Sequence, residues 1–179
     1  VVGVDVFEAI RGRRSVRKYD SKPVDRELIE KVVDAGRWAP SSGNTQPVEV
    51  VVVTDPEKRH VMAEISGYAA YLKDAPVALV VCVNLDRAGS RYGELGVKYF
   101  APLDAAVAVQ NMMLAAYALG LGTCWDSVFD KNRVREMLNL PRNIDPFAII
   151  ALGYPLEAPK PPRRKPLEEM LHWEEYGGR

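Results

Sequence analysis

Arg13, Arg14, Arg17 and Lys18 stand around Ser15 in the run Arg13-Arg14-Ser15-Val16-Arg17-Lys18-Tyr19. Guanidinium forks match phosphate oxygens in charge-assisted pairs, and a serine hydroxyl adds a neutral donor, so this grouping suits a phosphate monoester. A solvated helix end accounts for the same cations, because positive charge is favoured at a helix C-terminus. A second basic group, Arg163-Arg164-Lys165, lies near the other end of the chain. Either Arg163 or Arg164 is expected to join Arg13, Arg14 and Ser15 on one phosphate. Between the two groups runs Pro40-Ser41-Ser42-Gly43-Asn44-Thr45-Gln46-Pro47. Its short side chains allow a ligand to approach the backbone, and Asn44 offers both a donor and an acceptor. Ser, Gly, Asn and Pro are also ordinary loop residues.

The elements that must carry these groups follow from caps and periodicity. Asp5 caps a helix through about Arg13, with Val6, Phe7 and Ile10 on one side, which delivers the basic run at its end. Pro23 and Asp25 open a second helix, with Leu28, Ile29, Val32 and Val33 at helical spacing, closed by Trp38-Ala39-Pro40. Val48 to Val53 reads as a strand. Thr54-Asp55-Pro56-Glu57 reads as a capping box with the Thr54 hydroxyl at the cap, opening a helix to about Ile65. Val77 to Val83 is apolar without alternation, as expected of a central strand covered on both faces.

Pro102 to Leu119 reads as a helix whose single charge is Asp104, with Gly120 as its stop. A helix apolar around its circumference needs cover on every side, and the same helix of a second subunit would supply it. Asp130 caps a further helix ending near Asn139, and Phe147 to Leu152 gives another strand. Pro155, Pro159, Pro161, Pro162 and Pro166 make the end of the chain an extended arm. Residues 1–179 are thus expected to form one α+β domain, a mixed or mostly antiparallel sheet flanked by helices, with residues 155–179 as the arm.

Lys plus Arg and Asp plus Glu both number 24 among 179 residues, so no global field recruits nucleic acid or anionic lipid. No run approaches the ~20 apolar residues of a membrane span, and residues 1–10 do not read as a leader, so a cytoplasmic protein is expected. Two cysteines and two histidines in no metal-ligand spacing suggest no metal.

The basic run, then Ala39-Pro40-Ser41-Ser42-Gly43-Asn44-Thr45-Gln46-Pro47, Asp74-Ala75-Pro76, Leu119-Gly120-Leu121-Gly122-Thr123-Cys124-Trp125 and Arg164-Lys165-Pro166-Leu167-Glu168-Glu169, stand in one order along nearly the whole chain. In that order they resemble the nitroreductase family of FMN-dependent oxidoreductases. The resemblance implies a homodimer with exchanged C-terminal arms and FMN at the interface. It also implies ping-pong transfer from NADPH or NADH to a small-molecule electron acceptor, such as a nitroaromatic or a quinone. Arg13, Arg14, Ser15 and Arg163 or Arg164 would hold the FMN phosphate. Arg17 would lie by the pyrimidine edge of the flavin, and Pro40, Ser41, Ser42 and Asn44 would reach the ring and ribityl chain from the partner. Trp125, Asp126 and Ser127 would run along the flavin edge.

No side chain in this reading is a catalytic acid, a nucleophile or a metal ligand, because the cofactor supplies the chemistry. A lid is expected from Asp86 to Phe100, with Tyr92, Tyr99 and Phe100 stacking on a flat acceptor. The same scaffold would also fit a dehalogenase, a flavin-fragmenting enzyme or a ring dehydrogenase, and the basic groups alone would fit a non-catalytic nucleotide-binding dimer.

Overall fold

The computed structural model describes residues 3–179; residues 1 and 2, the start of the stretch read as carrying no leader, lie outside the described residues. The elements run α1 (Val6–Gly12), α2 (Arg26–Arg37), β1 (Val48–Val53), α3 (Pro56–Ile65), β2 (Val77–Asn84), α4 (Leu85–Leu95), α5 (Ala101–Ala118), β3 (Gly122–Asp126), α6 (Lys131–Met137) and β4 (Ile144–Gly153). The four strands pair antiparallel in the order β1-β2-β4-β3. This is the α+β architecture expected, with every strand pairing antiparallel.

The unbroken apolar run of β2 has a simple cause. Side chains alternate between the faces of a strand, and both faces of this sheet are covered. Ala78, Val80 and Cys82 enter one core with Met62, Ile65, Leu72, Val134 and Ile149. Val77, Leu79 and Val81 enter the other with Ile29, Val32, Val109, Met112 and Ile150. The sheet is therefore held between α3 and α6 on one side and α2 and α5 on the other.

Several expectations need correction. The cap of α3 is Asp55, whose carboxylate accepts from Lys58 N at 2.9 Å, so the capping position is one residue later than Thr54. Residues 122–126 form β3, which was not foreseen as a strand. The stretch Asp86 to Phe100, expected as a lid and given no secondary structure by its sequence, is helical: α4 breaks at Gly93 (φ 54°) and passes through a π-helical turn, Gly96–Phe100, directly into α5. The last helix stops at Met137, before Asn139, which adopts a left-handed φ of 52°. Helix α5 is covered on one side by α2 and the sheet, but Leu103 (49% exposed) and Val107 (41%) face outward within this chain. Among the described residues no helix is long and apolar enough to cross a membrane.

Candidate functional site

The basic run is delivered as its sequence demands. Asp5 caps α1 by accepting from Phe7 N (2.7 Å) and Glu8 N (3.2 Å), and α1 ends at Gly12 with Arg13 as its C-cap. Residues 15–20 then cross the end of β3 and of β4. Val16 N donates to Thr123 O (2.9 Å), the buried Tyr19 hydroxyl donates to Val16 O (2.6 Å), and Asp20 N donates to Tyr154 O (2.9 Å). Gly122 permits this crossing, since a Cβ there would meet the Val16 side chain at 2.8 Å. Burial pushes the Tyr19 hydroxyl well above its ordinary pKa, so it stays a neutral donor.

The arm returns to the same place. Leu156 N donates to Lys18 O (2.9 Å), and Arg17 N donates to a Glu157 carboxylate oxygen (2.6 Å). Residues 159–164 then close one wall of a cavity of about 260 Å³ lined by Arg13, Arg14, Ser15 and Arg17 from the front of the chain and Lys160 and Arg164 from its end. None of these cations forms an ion pair within 4.0 Å among the described residues. Arg13 Nε is buried without a hydrogen-bond partner. Arg14 spends its Nη1 on the Arg11 and Arg13 carbonyls (2.6 and 2.8 Å), where it satisfies the end of α1. Five cations and a hydroxyl, with no carboxylate among the lining residues, suit this cavity to a multiply charged anion.

Arg164, not Arg163, lines the cavity; Arg163 contributes only its carbonyl, which accepts from Arg164 Nη1 at 3.2 Å. Lys160 lines it as well, a residue the sequence reading did not single out. Its signal was a lone cation among prolines on the same arm. A larger cleft of about 800 Å³ lies beyond Arg17, among Tyr19, Pro23, Thr54, Arg59 and Lys73, and shares only Arg17 with the anion cavity.

Pro40, Ser41, Ser42 and Asn44 do not join the basic cavity within this chain. Pro40 and Ser41 line a different one, about 270 Å³, with Val33, Val48, Asp104 and Met112. Ser42–Asn44 forms a 3-10 turn in which Gly43 (φ 59°) and Asn44 (φ 56°) are left-handed, followed by Gln46 at 47°.

At the far end of β3, Trp125 packs edge-on against Phe147 with ring centroids 5.9 Å apart, and its indole N–H donates to Ser127 Oγ (3.0 Å). Trp125 thus serves partly as core packing. Asp126 is buried; its Oδ1 accepts from Val128 N (3.0 Å), while its Oδ2 has no partner. Burial raises the pKa of the nearby Tyr71 hydroxyl, the Cys124 thiol and Asp126 add to the rise, and the Arg17 charge opposes it. Tyr71 is thus within electrostatic reach of both Asp126 at the end of β3 and Arg17 in the basic run.

A profile of the Nitroreductase family matches residues 10–70 and 66–154, a span that includes the basic run, the 41–46 turn and β3 but not the arm. The chain belongs to the nitroreductase family. A protein of Methanothermobacter thermautotrophicus, named provisionally as an NADH dehydrogenase/NAD(P)H nitroreductase, is 39% identical over 162 residues, covering 87% of this chain and 80% of its own. The FMN reductase [NAD(P)H] of Bacillus subtilis is 30% identical over 185 residues, covering 96% of this chain and 75% of its own. The solved structure of the NADPH:FMN oxidoreductase of Vibrio harveyi, complexed with NAD+, superposes with a TM-score of 0.86 at 30% identity, covering 96% and 77% of the two chains.

Within this nitroreductase fold the stretch expected to form a lid lies on α4 and on the π-helical turn that follows it. Tyr92 and Tyr99 both meet Phe100 edge-on, at 5.1 and 5.4 Å between ring centroids. Sequence patterns alone do not single out Tyr71 or Asp104 as functional residues. Nothing local marks Tyr71, whereas Asp104 was visible as the single charge of an apolar helix, and a charge in such a place needs a partner.

Proposed function

We propose that this chain is an FMN-dependent NAD(P)H oxidoreductase that acts as a homodimer in the cytoplasm, with residues 1–179 as one FMN-binding domain. One observation carries the reading: both ends of the chain bring unpaired cations to one small cavity. The donor set fits a ribityl phosphate. Arg13, Ser15, Lys160 and Arg164 would hold it, and the partnerless Nε of Arg13 is a donor awaiting an acceptor. Arg17 lines the same cavity and its charge acts on Tyr71, so it would put a fixed positive charge beside the flavin's pyrimidine edge. Pro40, Ser41, Ser42 and Asn44 would reach the cofactor of the other subunit, which accounts for their separation from the basic cavity within one chain.

Bound FMN would supply the two-electron chemistry, accepting from NADPH or NADH and delivering to a quinone, a nitroaromatic or a similar acceptor in a ping-pong cycle. The protein's own tasks are to hold the phosphate, place positive charge at Arg17 and leave one flavin face open for donor and acceptor in turn. The outward Val6, Phe7 and Ile10 of α1, with Leu103 and Val107 of α5, supply an apolar surface that a second subunit would cover. The two buried free cysteines, Cys82 and Cys124, suit a reducing compartment.

The purified protein should carry a nucleotide with the mass of FMN. Under anaerobic conditions NADPH or NADH should bleach its flavin bands, and an added quinone or nitro compound should restore them. A flavin that neither nicotinamide bleaches would overturn this function and leave the nucleotide-binding or specialised alternatives.

A further inference from the structure

Asp104 is the one charged side chain on α5 and is buried, at 6% exposure. Ion pairing does not explain it: Arg37 and Arg87 line the same cavity, but they pair with Asp34 and Glu49. Its Oδ1 accepts instead from the backbone N–H of Ser42 (2.9 Å) and from the Ser42 hydroxyl (3.0 Å), across 62 positions of sequence. A buried carboxylate used in this way fixes whatever donates to it, because leaving it unpaired is more costly than holding the donor still.

The object it fixes has few other supports. Asn44 and Gln46 are held at left-handed φ, which Asn adopts readily but Gln adopts only when its surroundings impose it. Asn44 N donates to Ser41 O (2.9 Å), Gln46 N donates to Ser41 Oγ (2.9 Å), and Arg91 Nη1 on α4 reaches Gly43 O at 3.3 Å. The Asp104 bonds are what join the turn to the core helix of the fold.

We propose that Asp104 is a positioning residue for the cofactor: through Ser42 it holds the turn at residues 41–46 in the shape that meets FMN. This rests on the FMN reading above. The consequence concerns affinity and orientation of the cofactor, since Asp104 acts only through the turn.

The test titrates apoprotein with FMN, following quenching of flavin fluorescence and the visible circular dichroism of the bound flavin. Hydrogen exchange is read at residues 41–46. Asp104→Leu should weaken FMN by about tenfold or more, the loss expected for hydrogen bonds to a charged group. It should also alter the visible dichroism and speed exchange at Ser42. Asp104→Asn retains a carbonyl able to accept from both Ser42 donors and should recover most of the affinity, a rescue that a general packing role would not give.

If Asp104→Leu does not fold, Asp104→Ala, which leaves room for a water, decides, with an expected loss of a few-fold or more in affinity and faster exchange at Ser42 in the FMN-free protein. Wild-type FMN affinity in whichever of these two variants is measured would overturn the proposal while leaving the FMN reading intact. Wild-type protein that does not take up FMN at all would overturn that reading, and this one with it.

Discussion

From Val77 to Val83 no residue of β2 exceeds 4% exposure, whereas Ser15, Arg17, Lys160 and Arg164 around the anion cavity are all exposed. The strand is satisfied on both faces by apolar partners and by ladder hydrogen bonds. The cavity rim has cations without counterions, a guanidinium nitrogen without an acceptor and only a few backbone bonds to hold it. The two regions thus divide the labour. Burial in the sheet stabilises the fold, whereas the rim carries unmet charge that a bound anion would offset.

Four predictions sharpen or break this division, from the largest expected effect to the smallest. Replacing Arg13 and Arg164 together by Ala should remove charged hydrogen bonds of about 1.5–3 kcal/mol each from FMN binding, and leave the unfolding midpoint of the apoprotein nearly unchanged. Flavin retention equal to wild type would place the phosphate elsewhere. Ile150→Ala, at a fully buried site on β4, should do the reverse. It should cost about 2–5 kcal/mol in urea unfolding, with the FMN dissociation constant little changed once the protein is folded. A fall in affinity as large as the fall in stability would show that rim and sheet are not separable.

Asp55→Ala removes the cap of α3 and should cost about 0.5–2 kcal/mol by thermal unfolding. The same change at Thr54 should have far less effect, which distinguishes the observed cap from the one expected of the sequence.

The last effect is absent at neutral pH. Burial pushes the Cys82 thiol up from 9.0 to about 12. Between those values the unfolded chain releases a proton that the folded chain keeps. The folded state's advantage is thus whole below pH 9 and declines as pH rises towards 12. Tyr19 and Tyr71, both raised by burial, act in the same direction above pH 10. Cys82→Ala should flatten the first part of that decline in a pH series of unfolding midpoints.

Much of this molecule was legible because its strongest signals are local. Asp5 and Asp130 announce the helices they cap, and the run from Val77 to Val83 can only be a strand covered twice. Strand β3 was hidden because Gly122-Thr123-Cys124-Trp125-Asp126 is short and buried on nearly every residue, so it shows no alternation. Helix α4 was hidden by Gly89 and Gly93, whose low helix propensity outweighs its Asn84 cap on the page but not in the fold. The basic cluster could be named from sequence, since charge is visible in composition. The convergence of Lys160 on it, the neighbourhood of Tyr71 with Asp126, and the bond from Asp104 to Ser42 depend on long-range placement, which no local pattern encodes.

The prolines between Pro155 and Pro166 give the arm a further property. A proline-rich segment behaves as a spacer of set length, advancing about 3.1 Å per residue. Arg164 therefore meets Arg13 because of how many residues separate it from its tether at Lys18, and less because of which residues they are. Apart from Glu157, Lys160 and the prolines themselves, drift in composition along this spacer should be silent, while the gain or loss of a single residue would carry the guanidinium past its target, as a ruler with one graduation missing misplaces every mark beyond it.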